Sequence, residues 1–333
     1  MGIQIGNVHL DDPVILAPMS GVTDKPFRRL VRRLGAGLVV SEMIASEASV
    51  RQARQAMRSR KLTEDYAGEH EVAVQLAGCD PEVMAEAARL HRDRGAAIVD
   101  INFGCPVKKV VNKYAGSALM REEGLAARIL ETVVRAVDPL PVTLKMRLGW
   151  DAANRNAPRM ARIADESGIR LLTVHGRTRD QLYGGEADWS AVGEVKAATR
   201  LPVIVNGDIE SAEDVRGALD QSRADGVMIG RGACGRPWRL GQVMALLRHG
   251  KMGAEPTLDD QRDIALEHYD ALLSYYGKER GIRIARKHLG WYAAGRPNAA
   301  AFRQAINAES DPKRVKAMLC DVFTVPACAQ AAE

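Results

Sequence analysis

Cysteine is scarce in this chain: five residues in 333, at positions 79, 105, 234, 320 and 328, with no two in a CxxC arrangement. That spacing argues against a disulfide framework or a structural zinc site. Aromatic residues make up only 5%, so a core has to come from Val, Ile, Leu, Ala and Met. No run approaches the ~18 apolar residues that read as a membrane span. The start, Met1-Gly2-Ile3-Gln4, has no basic leader region, and Asp11-Asp12 interrupts the apolar pattern. Neither sign of charge dominates: 47 Lys+Arg against 42 Asp+Glu leave +5, compatible with a polyanionic partner without demanding one. Hydrophobic residues at 46% and charged residues at 27% exclude a disordered or fibrous chain. The expectation is a soluble, monomeric, cytoplasmic protein with no membrane partner and no metal centre.

What the chain has instead is glycine, thirty residues of it, and a repeated rhythm. Short apolar, β-branched runs recur at Val14–Ala17, Leu38–Val40, Val72–Leu76, Ala97–Ile101, Pro141–Lys145, Arg170–Val174, Pro202–Val205 and Gly226–Ile229. Near-continuous apolar strands are buried on both faces, which implies a parallel sheet. Amphipathic helical stretches lie between them, such as Pro81–Arg94, Gly124–Val137, Pro158–Glu166 and Ala212–Leu219. Asp80-Pro81 and Ser211-x-x-Asp214 carry the N-cap chemistry that opens a helix. Eight βα units within about 250 residues match a (β/α)8 TIM barrel in size and count. A doubly wound sheet shares the local pattern; the barrel is the reading adopted.

The rhythm stops near residue 250. Gly253-Ala254-Glu255-Pro256 reads as a linker, and helical stretches follow at Leu258–Tyr276, Ile282–Ala293, Ala299–Ile306 and Pro312–Val322. The expected organisation is a catalytic barrel over residues 1–250 and a small all-helical domain over residues 251–333, with a frayed end at Ala327–Glu333.

Barrel active sites lie at the C-terminal ends of the strands, and those ends are unusually polar here. They read Ala17-Pro18-Met19-Ser20-Gly21, Gln75, Asn102-Phe103-Gly104-Cys105-Pro106, Lys145-Met146-Arg147, His175-Gly176-Arg177, Asn206-Gly207-Asp208 and Gly230-Arg231-Gly232. A lysine or histidine that caps one strand is more often a structural donor than a catalyst, but seven such endings on one rim are hard to assign to packing. Glycines after strands seven and eight let backbone N–H groups approach an anion, and barrels commonly hold a phosphate at that corner. Gly230-x-Gly232-x-x-Gly235 also satisfies a dinucleotide fingerprint, but it follows the last strand rather than the first, so that reading is rejected. A phosphate corner, two amides and an inward lysine suit flavin mononucleotide, with the cation near N1 of the ring.

Cys105 stands apart from Cys79, Cys234, Cys320 and Cys328, which read as inert packing. Gly104 and Pro106 break the strand and place Cys105 at its mouth. A thiol of pKa ~8.5 can act as a general acid at neutral pH. Nucleophile, with His175 as base, is the rival role.

These residues resemble the tRNA-dihydrouridine synthase family, within it the bacterial DusB-like branch. Asp100-Ile101-Asn102-Phe103-Gly104-Cys105-Pro106, followed by Lys108-Lys109-Val110 and Gly116-Ser117, is similar to that family's signature. Leu16-Ala17-Pro18-Met19, Gln75-Leu76-Ala77-Gly78, Lys145-Met146-Arg147, Asn206-Gly207-Asp208, Gly230-Arg231-Gly232 and, in the tail, Arg286-Lys287-His288-Leu289-Gly290-Trp291-Tyr292 match in order and spacing. The resemblance implies an FMN-dependent, NADPH-using reduction of uridine in the tRNA D-loop. Hydride would pass from flavin N5 to C6, with Cys105 as proton donor to C5. It implies that Pro18, Met19, Ser20, Gln75, Lys145, Asn206, Gly207, Asp208, Gly230 and Arg231 hold FMN, and that Asn102, Arg147 and His175 meet the target base or the flavin edge.

The tail adds local charge. Lys278, Arg280, Arg283, Arg286, Lys287 and Arg296 lie within nineteen residues that contain one acid, Glu279. Arg283, Arg286 and Lys287 share a helix face and form a candidate phosphate-tracking stripe. A solvated helix face is the plainer reading, since residues 251–333 hold twelve basic and eleven acidic residues. Rival functions are an FMN barrel reductase of a small pyrimidine or enone, a non-enzymatic RNA-binding barrel, and an aldolase with Lys145 as Schiff-base nucleophile.

Overall fold

The computed structural model describes residues 2–59, 66 and 72–324. Two short strands, β1 (Ile3–Ile5) and β2 (Val8–Leu10), form an antiparallel hairpin that turns at Gly6, whose φ is 60°. The strands β3 (Val14–Leu16), β4 (Leu38–Val40), β5 (Ile44–Ala45), β6 (Val72–Ala77), β7 (Ile98–Phe103), β8 (Val142–Arg147), β9 (Leu172–His175), β10 (Val203–Asn206) and β11 (Gly226–Ile229) then form one parallel sheet. β11 returns to β3, and β4 and β5 both pair with β6, so the sheet closes on itself. It is the expected (β/α)8 barrel, with the second strand split into β4 and β5 by Ser41–Met43.

The strands read as apolar runs because both faces are covered. Val14, Leu16, Val74, Leu76, Val99 and Ile101 face the outer layer of helices and are essentially inaccessible. The opposite face fills the barrel, and its lower layer packs on the β1–β2 hairpin through Ile3, Ile5, Val8 and Leu10. Each fully buried side chain of this kind is worth ~1.5–3 kcal/mol relative to exposure. The hairpin caps the N-terminal end and leaves the C-terminal end open. The sequence reading does not assign it, although Ile-x-Ile, Gly-Asn and Val-x-Leu carry the alternation and the turn.

Helices α1 (Lys25–Arg33), α2 (Ser46–Ser59), α3 (Pro81–Asp93), α4 (Lys108–Val111), α5 (Glu123–Val137), α6 (Ala157–Glu166), α7 (Trp189–Ala197), α8 (Ala212–Ser222) and α9 (Arg239–His249) connect and surround the strands. The predicted caps form: Asp80 accepts from the amides of Glu82 and Val83, and Ser211 makes a capping box with Asp214.

The tail consists of α10 (Leu258–Tyr276), α11 (Lys278–Tyr292), α12 (Ala299–Ala308) and α13 (Pro312–Val322). Its α10 and α13 have the bounds that the sequence suggests, whereas α11 begins four residues before the expected Ile282. Gly281, the residue just before the expected start, lies inside the helix. A Cβ there would stand 2.9 Å from the Leu272 carbonyl oxygen, so the glycine permits close α10–α11 packing. The tail core of Ala265, Tyr269, Leu272, Ala285, Leu289 and Leu319 is shared with Leu30 of α1 and with Trp238. No helix among the described residues is long and apolar enough to cross a membrane. Cys79, Cys105, Cys234 and Cys320 are free thiols, each half-buried; Cys328 and the expected frayed end Ala327–Glu333 lie outside the described residues.

Candidate active site

The open end of the barrel holds a cavity of about 530 Å³. Pro18, Met19, Ser20, Gln75, Asn102, Cys105, Lys145, Arg147, His175, Asn206, Gly207, Asp208, Gly230 and Arg231 all line it. The structure thus brings together every barrel residue that the sequence assigns to the cofactor, the base or the proton, because each lies at or near the C-terminal end of a strand and the strands converge.

Deepest are four buried side chains joined in series. Thr143 donates to Asp100 Oδ1 at 2.6 Å, Gln75 Nε2 donates to Asp100 Oδ2 at 2.6 Å, and Asn102 Nδ2 donates to Gln75 Oε1 at 2.8 Å. Asn102 Oδ1 then accepts from the backbone amides of Gly104 and Cys105 at 3.1 and 2.9 Å. Burial pushes the Asp100 carboxyl above its ordinary range, against the hydrogen bonds from Thr143 and Gln75 and the charge of Lys145.

Next to them, the Lys145 ammonium donates to Asn206 Oδ1 at 3.0 Å, and Asn206 Nδ2 donates to the Met228 carbonyl at 2.8 Å. Burial, and secondarily the charge of Arg147, lowers the Lys145 pKa to about 8, so it keeps its proton at neutral pH. His175 is held neutral: burial and the surrounding cations Lys145, Arg147, Arg177 and Arg231 pull its pKa well below the usual value. Arg147, only 2% exposed, donates to the carbonyls of Gly104 and Thr178, each at 2.8 Å.

At the corner of strands seven and eight, Asp208 sits in the left-handed region at φ 54°, after Gly207 at φ 121°. Its carboxylate accepts from Arg177 at 2.9 and 2.5 Å, from the Ala187 amide at 2.9 Å and from Arg231 at 3.1 Å. Arg177 is itself 2% exposed. Asp208 therefore acts as a hub that holds the far more exposed Arg231 at the corner. The first bond of the turn Arg231–Ala233 is made by the Ala233 amide to the Gly230 carbonyl, so that turn leaves the amides of Arg231 and Gly232 unused.

Cys105 is half-buried at the cavity wall. Its carbonyl accepts from the Ser117 hydroxyl at 2.9 Å and the Ser117 amide at 3.1 Å, which folds the 105–117 loop back on itself. A Cβ on Gly116 would stand 2.8 Å from the Cys105 carbonyl oxygen, and its φ is 63°, so glycine is needed for that closure.

Sequence reading names Asp100 and Arg177 only within longer segments and gives them no role, and it does not single out Thr143 or Tyr183. The first three sit inside the barrel or behind the rim. Tyr183, 57% exposed at the mouth, has the Arg147 guanidinium 5.6 Å and that of Arg231 5.9 Å from its ring centre; an aromatic in a polar loop beside arginines is the available signal.

The three tail residues separate. Arg283 is exposed. Arg286 donates to the Ile306 carbonyl at 3.1 Å and contacts that of Glu309 at 3.4 Å. Lys287 donates to the carbonyl of Gly21, one residue after the cavity-lining Ser20. Arg283 and Arg286 border a second, shallow depression with Lys278 and Ser310.

Comparison with known proteins places this geometry in a family. The sequence profile described as Dihydrouridine synthase (Dus) matches residues 15–327. A probable tRNA-dihydrouridine synthase of Rickettsia bellii is 54% identical over 97% of this chain and 98% of its own. The tRNA-dihydrouridine synthase B of Xanthomonas campestris pv. campestris is 51% identical over 96% of each. Among solved structures, the old yellow enzyme of Trypanosoma cruzi superposes with a TM-score of 0.54 at 12% identity, over 78% of this chain and 94% of that one. Morphinone reductase superposes at 0.51 with 16% identity, over 78% and 93%. At such identities the likeness concerns the barrel fold alone. The protein is a barrel enzyme. It belongs to the dihydrouridine synthase family.

Proposed function

We propose that the protein is an FMN-dependent tRNA-dihydrouridine synthase that uses NADPH to reduce a D-loop uridine to 5,6-dihydrouridine. One observation carries the reading: a protonated buried lysine, an oriented amide and a thiol line one cavity. The likeness to relatives named tRNA-dihydrouridine synthases supports it.

The donor set fits FMN. The cavity volume is within the usual range of ~300–1,000 Å³ for cofactor sites. Gln75 and Asn206 have their amides fixed by buried partners, as a ring with polar edges requires. Arg231 and the amides of Arg231 and Gly232 suit a phosphate, with Asp208 holding that arginine through the Arg177 pair. Pro18, Met19 and Ser20 close one wall of the cavity, and Gly207 and Gly230 keep the corner open to an approaching ligand. Bound and reduced, FMN supplies the hydride that reaches C6 of the uracil.

The chain's own residues do the rest. Lys145 keeps its proton at neutral pH and stabilises negative charge placed beside it. As hydride arrives at C6, charge builds at O4 and C5. The Cys105 S–H bond breaks and its proton goes to C5. Arg147 brings a fixed positive charge to the same wall, and neutral His175 accepts from Arg177 at 3.3 Å, which fixes its ring. The base has to leave its stack to reach Cys105. Arg283, Arg286 and Lys287 on the tail are the proposed tRNA contacts, with residues 251–333 as the tRNA-binding domain and 1–250 as the catalytic one.

The test is to incubate unmodified tRNA with purified protein and NADPH and to read its nucleosides by mass for two added hydrogens on uridine. The visible spectrum of the protein is recorded first. A flavin spectrum with dihydrouridine is the expected result. A flavin spectrum with no dihydrouridine on any tRNA, modified or not, overturns the substrate and points to a small pyrimidine or enone; a protein that neither carries nor takes up FMN overturns the cofactor.

A further inference from the structure

We propose that Asp100 is a positioning residue: it sets the direction of a hydrogen-bond relay that runs from the barrel interior through Gln75 and Asn102 to the backbone of Gly104 and Cys105. An amide side chain has a donor end and an acceptor end, so a chain of amides can run in either of two directions. Here both ends of the chain demand the same one. At the mouth, the backbone N–H groups of Gly104 and Cys105 can only donate, so Asn102 must turn its oxygen to them. That leaves the Asn102 amide nitrogen for Gln75, which must accept through Oε1. Gln75 is left to donate, and the atom it meets, 2.6 Å away, is Asp100 Oδ2.

Asp100 fits this duty as a carboxylate, which accepts through both oxygens, whereas an amide fits it in only one of its two orientations. Its other oxygen is taken by the Thr143 hydroxyl at 2.6 Å. Ionised, or with a proton on the Thr143 side, it offers Gln75 an acceptor. An asparagine of the same shape could instead present its NH₂ to Gln75 Oε1. The relay would then reverse, and the Asn102 NH₂ would face the Gly104 and Cys105 amides, donor against donor. All four side chains are buried, so water does not repair the mismatch. The peptide so released is also the one whose Gly104 carbonyl accepts from Arg147 and whose Cys105 carbonyl accepts from Ser117. Asp100 thereby fixes where the Cys105 thiol stands without touching it. The relay is independent of the reaction; its consequence for proton delivery rests on the function proposed above.

The test compares Asp100→Asn with the double variant Asp100→Asn/Gln75→Glu in the full chain. The double variant moves the carboxylate one step along the relay. The amide now at position 100 donates to the carboxylate now at position 75, that carboxylate accepts from Asn102, and the Asn102 oxygen faces Cys105 again. The readouts are amide hydrogen exchange at Gly104 and Cys105 and the alkylation rate of Cys105, both followed by mass on the same peptide. Loss of a buried hydrogen bond corresponds to about tenfold faster exchange. The expectation is that acceleration in Asp100→Asn, a matching change in alkylation, unchanged exchange in β9, and recovery in the double variant. Unchanged protection in Asp100→Asn, or a double variant no better than the single one, overturns the relay. If Asp100→Asn does not fold, the double variant decides alone: folding with protected Gly104 and Cys105 amides supports the relay, and failure to fold overturns it. Neither readout uses flavin or tRNA, so failure of the relay and failure of the proposed reaction are told apart.

Discussion

The barrel mouth and the core of the tail bury polar groups in opposite ways. At the mouth, Gln75, Asp100, Asn102, Lys145, Arg147 and Asn206 each have hydrogen-bond partners. In the tail, His268 Nε2, His288 Nε2 and the Tyr269 hydroxyl are buried with none among the described residues, although His268 Nδ1 meets the Tyr292 hydroxyl at 3.1 Å. His268 and His288 instead stack in an aromatic cluster with Phe27 of α1 and with Trp291 and Tyr292 of α11, at ring-centre distances from 4.7 to 5.9 Å. Hydrogen bonds at the mouth fix direction, which chemistry needs. The ring contacts at the junction between barrel and tail depend on shape, and they leave nitrogens that resist a proton. One region is built to place atoms and the other to hold two parts together.

The largest expected effect tests the first half of that contrast. Cys105→Ala removes the proposed proton donor and leaves the side chains around Lys145 and Arg231 in place. Uridine reduction should fall by about 10²–10⁴-fold, the usual worth of a general acid, while NADPH oxidation through the flavin persists. Stopped-flow flavin reduction and dihydrouridine yield measured on one preparation separate the two; equal dihydrouridine yield in the variant removes Cys105 from its role.

Acid should act on the junction through its buried histidines. Burial lowers the His268 pKa to about 3, and burial with the charge of its neighbours lowers that of His288 well below 6.5. The unfolded chain takes up these protons below pH ~6.5 and the folded one does not, so stability is whole above that pH. It is lost as pH falls, by up to ~1.4 kcal/mol per pH unit for each ring. At the mouth two groups oppose each other: the raised Asp100 carboxyl binds a proton more readily folded than unfolded and gains as pH falls, whereas neutral His175 resists the proton and loses, like the tail rings. Both rings resist a proton in the fold, so His288→Phe should flatten part of the acid slope in denaturant titrations. An unchanged slope would show that the junction does not govern acid stability.

A smaller effect belongs to Lys145. Its pKa of about 8 means that the free protein loses this charge as pH rises through 8, so flavin affinity should fall severalfold between pH 7 and 9. In Lys145→Met the affinity should be lower and nearly flat over the same range, as read by fluorescence of released FMN.

How much of this the sequence makes legible depends on where a residue sits. The barrel strands show because burial on both faces leaves long apolar runs, and Gln75, Cys105 and Lys145 show because polar residues end those runs. Asp100 and Thr143 stand inside β7 and β8, where a polar residue looks like a lapse in the pattern until its partner across the barrel is known. The β1–β2 hairpin is short, and the start of α11 has no side-chain cap to mark it. The bond between Lys287 and Gly21 joins positions 266 apart in sequence; no local pattern encodes it.

That bond leads to the smallest and most discriminating prediction. One helix face suggests one role for Arg283, Arg286 and Lys287, whereas the fold gives them three surroundings. Arg283 is exposed and has only a phosphate to gain. Its change to Ala should weaken tRNA binding slightly and reduce the slope of log affinity against log salt by about 0.7–0.9, the value of one phosphate contact, with Tm unchanged. Arg286 fastens α11 to the end of α12, so Arg286→Ala should cost ~1 kcal/mol of stability before it affects RNA. Lys287 reaches the loop that carries Pro18, Met19 and Ser20, so Lys287→Ala should loosen bound flavin as well as tRNA. Measured singly, the three variants should separate on salt slope, Tm and flavin affinity. If all three move only the salt slope, the stripe is a plain electrostatic surface and the tail does not brace the cofactor loop.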